Sequence, residues 1–367
     1  MSCVVNDGMC KLGFAVAWAC LVGISVPLEV CNASLLNRHS PEKDRSWHSV
    51  YIAELAVAMG GLQLAVLSFA SKAPWTWPSP WWSYFGGVCS LPGYITISAA
   101  QVLGVEMLLM TQLVGLLGTF FVLDLADGTI RLGNWPKPVG LFFVVIGVVV
   151  DKLLASSGDG AKAIDINWIV HVVGAFCSGV GFALQAKCNG ALAHCIGGPA
   201  RAAMICAVVN VLASSPLSVY IRFGMEVPLS LDSKIWPMWF AAGFQSAFYV
   251  SSMALLPRFL GFTTCYLAVL SSKLFCSAVV DATGLTGGSR VALSAERILS
   301  IFVVLFGATL FQGRCGSTHA KAWSVLRDLQ EPRAVDPASE GSTETPPQLL
   351  GAACHTPSVC VPCDEAD

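Results

Sequence analysis

Ten apolar runs, each near the length a helix needs to cross a lipid bilayer, restrict what this chain can fold into. The hydrocarbon core takes about 20 mostly apolar residues in helical form. The runs fall at residues 12–35, 48–70, 81–101, 103–123, 138–155, 167–190, 202–221, 236–256, 260–281 and 296–313. Polar turns separate them, such as Asn37-Arg38-His39-Ser40-Pro41 and Asn134-Trp135-Pro136-Lys137-Pro138. Within lipid every backbone N–H and C=O must find its partner inside the protein, which leaves the α-helix as the spanning form for runs of this kind. The expected fold is therefore an all-α polytopic membrane protein with ten transmembrane helices.

Charge content narrows the function classes. Only 12% of the residues are charged, against ~25% in soluble domains. A water-soluble fold of this length needs more charge to cover its surface, which excludes an ordinary cytosolic enzyme. Lys and Arg number 21 against 23 Asp and Glu, so no basic excess exists for a phosphate backbone and no nucleic-acid partner is expected. The partner the composition implies is the lipid bilayer. Trp75, Trp77, Trp81, Trp82, Trp135 and Trp236 sit at run edges, where indole rings favour the headgroup layer. Eight of the 15 cysteines (Cys20, Cys31, Cys89, Cys177, Cys188, Cys206, Cys265 and Cys276) lie inside apolar runs, and there a free thiol packs as a small hydrophobe. The first run lacks a small-residue cleavage site and reads as an anchor that stays.

Shifting the chain by 157 residues superposes its halves. Cys31-Asn32-Ala33-Ser34-Leu35 falls on Cys188-Asn189-Gly190-Ala191-Leu192, Trp82 on Trp239, Gly86 on Gly243, Leu103-Gly104 on Leu260-Gly261, and Asp124 on Asp281. Trp, Asn and Asp are uncommon here, so their agreement at one offset points to duplication. Each half holds five runs. An odd count sets the second half upside down relative to the first, an arrangement recurrent among secondary transporters. The expected organisation is an N-terminal segment 1–11, a first five-helix repeat 12–155, a linker 156–166, a second repeat 167–313 and a disordered tail 314–367 rich in Pro, Ser, Thr, Glu and Gln. Lys and Arg divide ten to nine between the two sides of this layout, which sets no orientation.

Each half resembles the five-helix YdcZ-like branch of the drug/metabolite transporter superfamily. The resemblance spans residues ~12–313 and rests on local patterns in order. These are an asparagine followed by small residues and Leu at the end of the first helix (Asn32, Asn189), Trp81-Trp82 leading into Gly86-Gly87, a glycine opening the fourth helix, and an Asp near that helix's end (Asp124, Asp281). The family's Gly-Gln-Leu step reads Gly115-Leu116-Leu117 in the first half and Ser272-Lys273-Leu274 in the second, so Lys273 stands where Gln is typical. The resemblance implies two fused five-helix units in opposite orientation and a transport function.

An ionisable side chain at mid-bilayer costs roughly 2.5–3.5 kcal/mol on insertion scales, so residues kept there mark a cavity or one another. Lys273 stands out, with no charge between Leu260 and Ser272 before it and none after it until Asp281. Its candidate partners are Glu29, Glu54 and Glu106. Glu106 reads equally as a residue stabilised by its helix N-terminus. Asn32 lies three residues from Glu29, and Gln185 and Asn189 lie four apart, so each pair shares a helical face. The expected substrate-binding set is Glu29, Asn32, Gln112, Gln185, Asn189 and Lys273, with Trp82 and Trp239 as supporting or gating walls. Asp124 and Asp281 are either helix-end carboxylates among headgroups or functional groups that support the fold or couple an ion.

Other chemistry leaves little trace. The chain holds no His-Glu-x-x-His, Gly-x-Ser-x-Gly or Gly-x-x-x-x-Gly-Lys motif, so no enzyme, no cofactor and no resident metal are expected. His171 reads as a hydrogen-bonded interior group. Cys354, His355, Cys360 and Cys363 form either a zinc set or, in the preferred reading, incidental or lipid-modified tail residues. The expected function is a secondary transporter of a small organic solute by alternating access, with a proton or sodium ion as the open choices for coupling. The alternative is a non-transporting membrane scaffold or receptor on the same fold.

Overall fold

The computed structural model describes residues 2–38, 45–70, 80–126, 135–155, 165–196, 198–227, 236–256, 260, 262–285, 290 and 293–312, excepting the side chains of 2–11, 45, 46, 70, 152–155, 194, 236, 239, 254, 255, 262, 263 and 312. Residues 156–164 of the linker, residue 313 and the tail 314–367, with Cys354, His355, Cys360 and Cys363, lie outside the described residues.

The described residues form helices and turns, with no strand among them. Helix α1 spans Ser2–Arg38, α2 Arg45–Ala70, α3 Gly86–Cys89, α4 Thr96–Leu103, α5 Val105–Ala126 and α6 Pro136–Ala155. Then follow α7 Ile166–Cys195, α8 Pro199–Phe223, α9 Trp236–Leu255, α10 Phe262–Thr283 and α11 Ala295–Gln312. The described residues of the ten apolar runs are largely helical, although one run is broken. Six described segments are long and apolar enough to cross a membrane: Leu12–Arg38, Trp47–Phe69, Val105–Ala126, Ile166–Ala193, Pro199–Gly224 and Thr264–Thr283. Leu62, Val66, Phe69, Phe142, Leu212 and Phe302 point outward with more than half of their surface exposed. In water such faces would be costly, and in lipid they are solvated. The protein is an integral, multi-pass membrane protein.

Two local features depart from the sequence reading. Helix α1 begins at Ser2 rather than at the apolar edge near residue 12 and continues through Pro27. The run at 81–101 is not one helix. It breaks into a 3₁₀ turn at Trp81–Phe85, the short α3, a second 3₁₀ turn at Leu91–Ile95, and α4. Pro92 has no N–H to give, and Gly86, Gly87 and Gly93 weaken helical preference around it. A backbone carbonyl left over by this break must be satisfied by another group, since lipid offers none. Asn210 of α8 does so, its Nδ2 donating to Gly87 O at 3.1 Å.

The core lies where α5, α10 and α11 meet, around Leu108, Met110, Leu274, Ile301 and Val304, none of which has any exposed surface. α1 packs on α9 and α10, α7 on α5 and on the broken segment, α2 on α8 and α9, and α6 on α11. All nine described cysteines are free thiols, including the eight in apolar runs.

Glycines set the closest crossings. A Cβ at Gly23 of α1 would fall 2.2 Å from Val269 O of α10, and one at Gly179 of α7 would fall 2.0 Å from Gln112 O of α5. Both neighbours are backbone, so neither can swing aside. Gly179→Ala is expected to force α5 and α7 apart and to cost about 1–3 kcal/mol, as over-packing does. The thermal midpoint in detergent measures it, and an unchanged midpoint would contradict the close crossing.

Candidate functional site

Polar groups gather at mid-span between α1, α9 and α10. Glu29 and Lys273 are half-buried and lie within electrostatic range of each other, and Ser246 of α9 hydrogen-bonds the Glu29 carboxylate. About one turn along α1, Asn32 Nδ2 donates to Gln245 Oε1 at 3.0 Å. Tyr249 is in electrostatic range of Glu29, and Tyr266 is in range of Tyr249. Of the three carboxylates weighed as partners for Lys273, Glu29 is the one in electrostatic range of it. Helix spacing explains part of this: positions 29 and 32 share a face of α1, and 245, 246 and 249 share a face of α9. The close approach at Gly23 brings α10 against α1.

The remaining expected site residues lie elsewhere. Gln112 Nε2 donates to Thr96 Oγ1 at 3.1 Å and to Ser178 Oγ at 2.9 Å, tying α5 to α4 and α7. Gln185 Nε2 donates to Cys206 Sγ at 3.1 Å, and Asn189 Oδ1 lies against Gly86, where a Cβ would come within 2.7 Å of it. Trp82 is 40% exposed and contributes its carbonyl oxygen to Cys188 Sγ at 3.6 Å. The side chain of Trp239 lies outside the described residues. Among the described side chains, Glu29, Asn32 and Lys273 lie together between α1, α9 and α10, whereas Gln112 joins α5 to α4 and α7, Gln185 joins α7 to α8, and Asn189 and Trp82 lie between α7 and the broken segment. Lys187 is exposed, and His171 Nδ1 is 2.7 Å from Asn167 O.

A second constellation sits at one end of the bundle. Arg297, in the first turn of α11, places Nη2 2.6 Å from Glu106 Oε2 of α5 and 3.0 Å from Asp281 Oδ2 of α10, and Nε 3.6 Å from Asp151 Oδ1 of α6. Ser300 Oγ donates to the same Asp151 oxygen at 3.4 Å. Asp281 also caps α5 from outside, its two oxygens accepting from Val105 N at 2.8 Å and Glu106 N at 3.0 Å. Gly104 makes the approach possible. It holds φ +86°, and an ideal Cβ there would lie 3.0 Å from Asp281 Oδ2. A glycine ahead of the fourth helix is thereby explained by both dihedral and space.

Asp281 is only 3% exposed, so of its two readings the carboxylate solvated by headgroups does not hold. Asp124, its equivalent by sequence, pairs with Lys137 at 2.6 Å with 35% of its side chain exposed. Glu106 is taken by Arg297. Neither Arg297 nor Asp151 stood out in the sequence, because each sits near a run edge where a charge is unremarkable.

A third network joins α2, the broken segment and α8. Tyr94 Oη donates to Asn210 Oδ1 at 2.5 Å, Asn210 Nδ2 to Ser90 Oγ at 2.5 Å, and Ser214 Oγ to Glu54 Oε1 at 3.1 Å. Ser218 hydroxyl also donates to Glu54. A groove of about 290 Å³ between α5, α6 and α7 is lined by Met107, Thr111, Val114, Val148, Val172 and Phe176, among others, and none of the expected site residues reaches it. Among the described residues no group of three or more His, Cys, Asp or Glu side chains is placed to hold a metal ion.

Residues 170–310 match the family model described as "Putative inner membrane exporter, YdcZ". That segment is thus similar to the YdcZ family, as its residue patterns suggested. No curated protein matches the chain. A solved structure described only as "Crystal structure of protein" matches with a TM-score of 0.50 at 16% identity, over 86% of this chain and 98% of that one. It bears on the fold alone.

Proposed function

We propose that the protein is a secondary transporter that carries a small organic solute across its membrane by alternating access. One observation carries the reading: Glu29 and Lys273, opposite charges from different halves of the sequence, lie half-buried within electrostatic range of each other, with Asn32, Gln245 and Ser246 beside them. Desolvating such a group is costly, and a polar solute path makes it useful. The exporter family matched by residues 170–310 supports transport over catalysis. No nucleotide-binding motif accompanies the helices, so the driving force is a gradient of solute or ion, or an exchange.

The ten helical segments form two inverted five-helix repeats, residues 12–155 and 167–313, in this proposal. Helix ends support it. The 157-residue shift carries Arg38 onto Cys195, Val105 onto Phe262, Ala126 onto Thr283 and Ala155 onto Gln312, and these eight residues end or begin helices. Helix pairing supports it too. The shift turns the α1–α10 contact into the α7–α5 contact, and it carries Gln112 onto Val269, the residues met by Gly179 and Gly23. Gln185, Asn189 and Gln112 would join the solute path when the halves rock, with Trp82 and Trp239 at its walls.

Labelling distinguishes inverted from parallel halves. On a cysteine-depleted background, a thiol placed at Arg38 and the native thiol of Cys195 are expected to react from opposite sides of sealed vesicles. Reaction from the same side would remove the inversion. Counterflow in vesicles, screened with amino acids, nucleosides and organic cations, tests transport itself. A solute that raises the thermal midpoint without exchanging would favour the receptor alternative.

A further inference from the structure

We propose that Glu106 is a proton-binding site and that its proton latches one end of the bundle shut. The latch role rests on the transport reading above; the proton site rests on the geometry of the cluster.

Three carboxylates (Glu106, Asp151, Asp281) surround the single guanidinium of Arg297, and the side-chain exposures are 0%, 4%, 3% and 7%. With every group ionised, two negative charges stay uncompensated away from water, which is severely unfavourable. The partners are unequally shared. Asp281 takes two backbone N–H groups and Arg297, and so holds its charge. Asp151 has Arg297 Nε at 3.6 Å and Ser300 Oγ at 3.4 Å. Glu106 touches Arg297 through Oε2, while its Oε1 is fully buried without a hydrogen-bond partner. Adding a proton to Glu106 removes one of the two excess charges and needs no extra room. A metal cation would sit against the guanidinium, and no described group of carboxylates is arranged to ligate one.

Helix ends sharpen the argument. Asp151 and Asp281 lie near the C-termini of α6 and α10, and Arg297 lies in the first turn of α11. Each opposes its own helix dipole.

The charged groups bearing on Glu106 are Arg297, Asp151 and Asp281. On α7, which also packs against α5, His171 is engaged with Asn167 O. Arg38 of α1 spends its Nη2 on Gly284 O and Leu285 O, at the end of α10. The side chain of Lys152 is outside the described residues. The cluster joins α5 and α6 of the first half to α10 and α11 of the second. With the proton bound, the ends stay together around Arg297. Proton release sets Glu106 and Asp151 against Asp281, and opening this end to water relieves the repulsion. The site thereby reads the pH of the compartment it faces.

Infrared difference spectroscopy of the full chain in detergent tests the site. The wild type is expected to show a protonated-carboxyl C=O band that is absent from Glu106→Gln and fades as pH rises. Asp151→Asn takes away a neighbouring negative charge, so its band should fade at lower pH. That variant keeps the test alive if Glu106→Gln does not fold. A thiol placed at Val105, which has no exposed surface, reports the latch. At high pH the wild-type background should label at least ten times faster than the Glu106→Gln background, and at low pH the two should agree. Identical spectra for wild type and Glu106→Gln, or a band abolished by sodium at fixed pH, would overturn the proton site. A labelling ratio that ignores pH would overturn the latch. None of these measurements uses a solute, so a failed counterflow assay and a failed proton site are separate results.

Discussion

Arg297→Gln is expected to destabilise the protein by about 3–5 kcal/mol, the cost of leaving buried carboxylates without their cation. The guanidinium sits within 3.6 Å of three of them, so its loss abandons three carboxylates at once. Glutamine keeps donors but not charge, and Asp281 keeps its two backbone N–H bonds to the start of α5. Adding Glu106→Gln to Arg297→Gln removes one of the stranded acids and should restore part of the loss. A double-mutant cycle on the detergent thermal midpoint measures this, and the coupling should be large because the two side chains touch. Additive effects would mean that the 2.6 Å pair does not hold the charges together. Asp124→Asn at the other end should cost less than Arg297→Gln, about 1–3 kcal/mol, since it loses a charge-assisted hydrogen bond to the buried Lys137 but the acid itself is 35% exposed.

What the sequence made legible follows from which interactions are local. Apolar runs and scarce charge define spanning segments without tertiary information, and the helices fall on them. The short-range signals were also present at Ser90-Leu91-Pro92-Gly93, where a proline and a glycine inside an apolar run mark a break rather than a helix. The apolar length of that run hid them. Partners across the bundle were the harder part. Glu29, Glu54 and Glu106 look alike along the chain, each an acid near apolar neighbours. Their fates differ because α10 crosses α1 at Gly23, α2 packs on α8, and α5 starts beside the end of α10. The duplicated Asp124 and Asp281 show the same limit. One offset relates them, yet one meets a lysine thirteen residues later and the other an arginine sixteen residues later.

Lys273 carries the largest expected effect on transport. Lys273→Gln should weaken solute handling by about ten- to a hundredfold, because a charge-assisted hydrogen bond is worth ~1.5–3 kcal/mol. The neighbouring Glu29 makes two roles separable. If the lysine only neutralises that carboxylate, then Glu29→Gln combined with Lys273→Gln leaves no unpaired charge and should recover exchange. If the ammonium binds an anionic or zwitterionic solute directly, the double variant folds as well as the wild type and stays slow. The second outcome is expected, since Asn32, Gln245 and Ser246 gather beside the pair, where a charge pair serving stability alone would need no polar wall. Counterflow rates and the thermal midpoint, read on the same three variants, separate binding from folding. Normal exchange by both Lys273→Ala and Lys273→Gln would take Lys273 out of the solute path and leave Asn32, Gln245 and Ser246 as its remaining polar wall.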